Sequence, residues 1–148
     1  RWVAVKASPT PESHILRHGP WIDAVFSAPS VREIMARLSE MSQSVDPAEA
    51  EWASSVHTQL SARSPLMLHV VLEQVRRARQ LSLADDLAME RVMVHQCFYL
   101  RPGAASETVE GVRALAVDKD HQPKWNPARI EDVTPEMVAA FLPSGHGL

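Results

Sequence analysis

Six helix-start signals constrain the fold of this sequence more than any other feature. Each is a Ser, Asp or Thr that can accept a hydrogen bond from the first turn of a helix, and helix-forming residues follow it. The six residues are Ser30, Asp46, Ser64, Ser82, Ser106 and Thr134. Proline, which is favoured at the first position of a helix, follows three of them directly. The sequence therefore predicts an all-α fold, a helical bundle of six to seven helices that begins near His14.

The apolar residues behind these signals have helical spacing. After the capping box at Ser30, the positions i, i+3, i+4 and i+7 are occupied by Val31, Ile34, Met35 and Leu38. The longest run extends from Ser82 to about Leu100, and its apolar residues spread around more than half of the helix circumference. We expect that helix to be packed on at least two sides.

Strand signals are absent apart from the first few residues. Residues 1–12 contain two prolines, a threonine and a serine between Ala7 and Glu12, which predicts an extended linker. The remaining residues, 13–148, are predicted to form one helical domain. A chain of 148 residues with 45% apolar content is large enough to bury a core.

Composition argues against several classes of partner. A formal net charge of -3 provides no broad basic field, so we expect no binding to nucleic acid or to an anionic membrane surface. No apolar run reaches the roughly 18 residues that a membrane-spanning helix needs. The single cysteine, Cys97, cannot form an internal disulfide, which is typical of a reducing compartment.

Candidate catalytic and metal-binding residues have ordinary structural explanations. None of the seven histidines completes a metal-ligand spacing with cysteine or carboxylates, so we expect no metal site and predict that His57, His69 and His95 are partly buried helix residues. Cys97 lies two residues from His95, on nearly the opposite side of a helix, and is predicted to pack as a small apolar residue. Local catalytic motifs such as G-x-S-x-G or a phosphate-binding loop are missing.

Two charged residues, Glu90 and Arg91, lie in the middle of the most apolar helix. An ionised group there is costly unless it is paired or reaches water. A structural ion pair or a solvated stripe is the ordinary explanation, and a contribution to a functional site is the alternative.

The segment from residue 110 to residue 127 differs from the rest of the chain. Of the three lysines in the sequence, Lys119 and Lys124 lie close together and next to Trp125. One interpretation is a helix end whose negative dipole favours nearby cations. The other is a contact surface for a nucleotide, because lysines bind phosphate as point charges and an aromatic ring can stack on a base.

The same segment resembles a known family. Glu110-Gly111-Val112-Arg113-Ala114, Asp118-Lys119-Asp120 and Pro123-Lys124-Trp125-Asn126-Pro127 are similar to the closing signature of the 3-hydroxyisobutyryl-CoA hydrolases, members of the crotonase (enoyl-CoA hydratase/isomerase) superfamily. Ser64-Pro65, Leu81-Ser82-Leu83 and Met89-Glu90 agree with that family in order. The resemblance covers about Ser13 to Leu142 and corresponds to the carboxyl-terminal third of such proteins.

This resemblance implies a parent protein whose upstream core binds an acyl-CoA and hydrolyses its thioester in mitochondrial valine breakdown, with CoA entering as part of the substrate and no further cofactor. No catalytic residue is carried over, because the core motifs of the family do not occur in this chain. The family's carboxyl-terminal helices pack over the core and help to complete the CoA pocket. That implies Lys119, Lys124 and Trp125 as CoA contacts.

The implied partners are an acyl-CoA and the protein's own amino-terminal crotonase core. Without that core, apolar surface would remain uncovered, so we expect a homo-oligomer at high concentration. Two alternatives remain open. The chain could belong to a non-enzymatic crotonase-like assembly subunit, for example of a mitochondrial ribosome, or to another enoyl-CoA hydratase/isomerase.

Overall fold

Eight α-helices form the fold within residues 13–143, the part of the chain that the computed structural model describes. They are α1 (His14–Arg17), α2 (Gly19–Phe26), α3 (Val31–Met41), α4 (Pro47–Ser61), α5 (Pro65–Ala78), α6 (Leu83–Tyr99), α7 (Glu107–Val112) and α8 (Pro135–Ala139). These residues contain no β-strand, so the all-α prediction is confirmed. The predicted linker, residues 1–12, lies outside the described residues.

All six predicted capping residues act as helix caps. In each case the side chain accepts a hydrogen bond from a main-chain N–H in the first turn. The distances run from 2.9 Å at Asp46 to 3.4 Å at Thr134. A cap of this kind stabilises a helix that begins next to it by about 1 kcal/mol. The six caps therefore favour helix starts at the six observed positions.

The carboxyl ends of two predicted helices differ from the expectation. The helix predicted from Ser106 to Val117 is α-helical only to Val112, and a π-helical segment, Arg113–Val117, continues it. The wider turn is closed by a hydrogen bond from Asp118 N to Arg113 O at 2.8 Å. The last helix, α8, ends at Ala139 and not near Leu142.

The first of two apolar clusters joins α2, α3 and α4. Its buried residues are Val25, Ala28, Ile34, Leu38 and Ala53. Ile34 and Leu38 are the positions that the helical stripe behind Ser30 predicted to be buried. The stripe therefore decides how α3 packs.

The second cluster joins α5 and α6 to the turn that follows α8. Its buried residues are Leu66, Val70, Met89, Met93, Phe141 and Leu142. Arg76 of α5 connects the two clusters, because its Nη2 donates to Ala28 O at 3.0 Å. The cores are thus adjacent parts of one domain.

The longest helix, α6, is buried on one side only. Met89 and Met93 are 1% and 6% exposed, whereas four apolar residues on the opposite side are more than half exposed. These four, called the α6 face below, are Leu83, Leu87, Val94 and Phe98. The second packed side that the sequence predicted is therefore uncovered here. Among residues 13–143, no helix has both the length and the apolarity to cross a membrane.

Candidate functional site

The connecting loop, residues 118–127, follows the π-helical segment and carries most of the signature residues. Lys119 and His121 within it have positive φ angles, 56° and 54°. Residues other than glycine are strained in this left-handed region by about 1–3 kcal/mol each, and they persist only where other contacts hold the backbone. The contacts of this loop with α7 and with the π-helical segment therefore decide its conformation.

Arg113 is the centre of those contacts. The Arg113 cluster consists of Glu110, Arg113, Asp118 and Asp120. Nε and Nη2 of Arg113 donate to the two carboxylate oxygens of Glu110 at 2.9 and 2.8 Å, and Nη1 donates to Asp118 at 2.6 Å and to Asp120 at 2.8 Å. Nη2 also donates to Gln122 O at 3.1 Å. Because a guanidinium has five N–H donors, these five bonds occupy all of them.

Glu110 is the buried carboxylate of this cluster, with 6% of its surface exposed. It also accepts a hydrogen bond from the main-chain N–H of Lys124 at 2.6 Å. Hydrogen bonds from Arg113 and then from the Lys124 N–H lower the pKa of Glu110 to about 2. Glu110 is thus ionised at neutral pH and is a weak base.

A second buried carboxylate, Glu107, holds the far end of the loop. One of its oxygens accepts from Asn126 N at 2.9 Å, and the other accepts from the hydroxyl of Ser64. Ser64 is also the cap of α5, where it accepts from Met67 N at 3.1 Å. Glu107 therefore joins the loop to the start of α5 through one carboxylate.

Trp125 packs between two helices. Its indole N–H donates to Ala62 O, at the end of α4, at 3.3 Å. The edge of its ring lies over Gly111 of α7, where an added Cβ would be 3.4 Å from Cη2. The ring is half-buried. Trp125 therefore has a structural role, whether or not it also stacks on a base.

The side chains of Lys119 and Lys124 are exposed on the same loop. The pKa of Asp120 is lowered, mainly by its hydrogen bond from Arg113 and further by the charge of Lys124. Arg113 binds carboxylates within the cluster, whereas the side chains of the two lysines are exposed to solvent. The structure therefore brings all three predicted contact residues onto one loop, and their contact with CoA stays a prediction.

Two surface depressions lie elsewhere. One of about 320 Å³ lies between α3, α5 and α8, and one of about 200 Å³ lies where α4 meets α5, beside Arg129. Neither is lined by Lys119, Lys124 or Trp125. The loop forms an exposed edge within the described residues.

Most of the other candidates have the structural roles that the sequence suggested. Cys97 packs against the second core, where burial raises the pKa of its thiol, and this prediction is confirmed. His57 and His69 are partly buried, as predicted. The prediction for His95 is wrong, because this residue is exposed on a side of α6 that faces away from buried Met93. Its ring contacts that of Tyr99 at a tilt of 32°, with ring centroids 4.6 Å apart.

The two charged candidates of α6, Glu90 and Arg91, have different surroundings. Oε1 of Glu90 accepts a hydrogen bond from Gln74 Nε2 at 3.1 Å, and Arg91 is exposed on the wet side of α6. Residues 13–143 contain no group of three His, Cys, Asp or Glu side chains that could hold a metal ion.

Sequence reasoning missed the role of the two buried glutamates. Glu110 was recognised only as part of a signature, and Glu107 was not singled out. The spacing of Glu110 and Arg113, three residues apart on one helix, is a signal for a side-chain pair. Their contacts to residues 118–126 depend on how the loop folds back, which no local pattern specifies.

Comparisons with known proteins agree with this fold. The family model described as enoyl-CoA hydratase/isomerase matches residues 2–142. A mitochondrial 3-hydroxyisobutyryl-CoA hydrolase of Dictyostelium discoideum is 37% identical over 122 residues, which is 82% of this chain and 29% of that protein. The small ribosomal subunit protein mS47 of Arabidopsis thaliana is 32% identical over 131 residues, or 88% of this chain and 31% of that protein.

A solved structure has the same fold. The crystal structure of an enoyl-CoA hydratase from Rhodobacter sphaeroides 2.4.1 superposes with a TM-score of 0.73 at 30% identity, covering 95% of this chain and 38% of that one. The chain thus spans about a third of the length of the proteins that it matches.

Proposed function

The chain belongs to the enoyl-CoA hydratase/isomerase family, and from that membership we propose that it is the carboxyl-terminal helical part of an acyl-CoA thioesterase of the 3-hydroxyisobutyryl-CoA hydrolase type. In this proposal it covers the catalytic core of the parent protein and completes the CoA pocket. The relatives that carry this name are about three times as long as the matched segment. Valine breakdown in the mitochondrion is the corresponding setting, and relatives named as mitochondrial support it.

The observation that carries the proposal is the α6 face. Leu83, Leu87, Val94 and Phe98 are between 55% and 75% exposed along a helix of 17 residues, which is about 25 Å long. Val109 and Val112 of α7 are also exposed. Exposed apolar residues aligned along one side of a helix are typical of a protein contact. We assign it to the amino-terminal core of the parent protein.

The connecting loop supplies the second part of the proposal. Lys119 and Lys124 are exposed on a backbone that buried carboxylates hold in place. Exposed ammonium groups on a backbone that is held in place suit the phosphates of CoA, to which lysine binds as a point charge. We assign the two lysines to those phosphates, with Trp125 beside them.

The chemistry is assigned to the core and not to this chain. Thioester hydrolysis needs hydrogen-bond donors aimed at the developing oxyanion and a base held near the attacking water. Glu107 and Glu110 are already occupied by hydrogen bonds from the loop, and the pKa of Glu110, about 2, makes it a poor base. The segment alone is therefore expected to be inactive.

A thiol-release assay with 3-hydroxyisobutyryl-CoA tests this assignment. The isolated segment should release no free thiol, and addition of the separately produced amino-terminal portion should restore turnover. Activity of the isolated segment that Glu110→Gln or Glu90→Gln abolishes would place the active site here and end the proposal.

The second candidate is a non-enzymatic assembly subunit. It is supported by the likeness to a small ribosomal subunit protein over 88% of this chain. The reconstituted protein separates the two candidates, because a subunit used only for assembly would hydrolyse no acyl-CoA in the presence of its core. If the reconstituted protein instead hydrates an enoyl-CoA, it is another enzyme of the family.

A further inference from the structure

Two residues of the connecting loop, Lys119 and His121, have strained backbone conformations that neighbouring contacts hold in place. Lys119 has φ 56° and His121 has φ 54°, although neither is glycine. Such angles persist where neighbouring contacts determine the backbone, and they concentrate at ligand-holding segments. Here Arg113 supplies several of these contacts, since it binds Asp118 before the two residues, Asp120 between them and the Gln122 carbonyl after them. A main-chain hydrogen bond from His121 N to Ala114 O at 3.0 Å adds to them.

Arg113 cannot itself bind a ligand phosphate in this state. Its five N–H donors are occupied by Glu110, Asp118, Asp120 and the Gln122 carbonyl. All of its hydrogen bonds lie within the cluster. Hydrogen bonds to a ligand phosphate must therefore come from other residues.

Three carboxylates surround this one guanidinium. If Arg113 were absent, Asp118 and Asp120 would repel each other and Glu110, and they would attract the nearest remaining cations. Those are the lysines of the same loop, and the charge of Lys124 already acts on Asp120. Arg113 thus binds the aspartates so that Lys124 remains available to an outside anion.

We propose that Arg113 is a positioning residue that fixes the connecting loop and keeps Lys124 available for the phosphates of CoA. This inference rests on the proposed function, because it presumes that the loop faces the ligand. It adds a residue that touches no substrate and acts through Lys124.

A double-mutant cycle in the full-length protein that carries this chain tests the proposal. CoA is titrated at low salt into the wild type, Arg113→Gln, Lys124→Ala and the double variant. Each single substitution should weaken binding about 5-fold, the scale of one charge-assisted phosphate contact. Because both act through the same ammonium, the double variant should also lose only about 5-fold and not the product of about 25-fold. 3′-Dephospho-CoA, which lacks one phosphate, should discriminate less between the proteins.

Arg129→Gln is the matched control, since Arg129 is exposed and pairs only weakly, at 3.4 Å, with Glu131. It should leave both the affinity and the loop unchanged. The rate of tryptic cleavage after Lys119 and Lys124 measures directly how firmly the loop is held. It should be higher in Arg113→Gln than in the wild type or in Arg129→Gln.

The outcomes are distinct. Coupled binding losses with faster cleavage support the inference. Additive losses of CoA affinity overturn the inference and leave the proposed function standing. The same holds if Arg113→Gln keeps wild-type affinity and cleavage while Lys124→Ala binds CoA more weakly. Normal CoA affinity in Lys124→Ala removes the CoA contact itself, so the proposed role of the loop fails first and this inference fails with it.

Discussion

The indole ring of Trp125 lies over Gly111, so that a Cβ atom on the glycine would be 3.4 Å from Cη2 of the ring. The same indole donates its N–H to Ala62 O at the end of α4. One aromatic side chain therefore joins α4, α7 and the connecting loop. The glycine and the tryptophan of the signature act as a packing pair, whatever else the tryptophan contacts.

Substitutions at Gly111 should separate by size. We expect Gly111→Ala to be neutral or stabilising, because 3.4 Å is an ordinary van der Waals contact and alanine has a helix propensity about 1 kcal/mol better than glycine. Gly111→Val adds methyl groups toward the ring and should destabilise by about 1–3 kcal/mol. Urea unfolding of both variants measures the difference. Equal stability of the alanine and valine variants would show that the ring of Trp125 can move aside without a loss of free energy of unfolding.

The Arg113 cluster should make stability depend on pH in the acidic range. The pKa of Glu110 is lowered from 4.5 to about 2 in the folded protein, chiefly by the hydrogen bond from Arg113. A lowered folded-state pKa contributes stability above pH 4.5 that is lost as the pH falls toward 2. The gap in unfolding midpoint between the wild type and Glu110→Gln should therefore be widest near neutral pH and close at about pH 2.

The control for that experiment is Glu40→Gln, which changes an exposed carboxylate of α3. Its urea midpoint should follow the wild type at every pH. A pH-independent gap for Glu110→Gln would mean that its carboxylate matters by shape and not by charge.

The sequence predicted those parts of the fold that depend on neighbours along the chain. A cap and the residue two or three positions later belong to one turn, so Ser30, Ser82 and the other caps could be identified without tertiary information. The buried side of α3 followed from spacing in the same way. These features are local, and their outcome is decided within a few residues.

The candidate site depended on contacts that spacing cannot supply. The carboxylate of Glu110 meets Lys124 N across 14 residues, and that of Glu107 meets Ser64 across 43. The π-helical turn that directs Asp118 toward Arg113 has no signal in the sequence that we could identify. For α6, its apolar spread predicted two packed sides, but within residues 13–143 the second side is exposed.

Removal of either loop lysine should weaken binding more than chemistry. In the full-length protein, Lys119→Ala and Lys124→Ala should each raise the KM for the acyl-CoA by about 5-fold, or roughly 1 kcal/mol, and leave kcat nearly unchanged. The effect should shrink as salt is added, because exposed charges are screened. Steady-state kinetics at two ionic strengths check this. If both variants keep the wild-type KM at low salt, the lysines do not contact CoA and act only as cations near the negative end of a helix.

The α6 face should make the isolated segment associate. Leu87 and Val94 are 55% and 59% exposed, and without a core to cover them they are expected to pair with a second copy at hundreds of micromolar. The double variant Leu87→Glu, Val94→Glu should sediment as a monomer and keep its helicity, because both side chains already face water. Met89→Ala, at a position 1% exposed on the opposite side, should instead destabilise the fold by about 2–5 kcal/mol. A wild-type segment that stays monomeric at those concentrations would show that this face does not drive association.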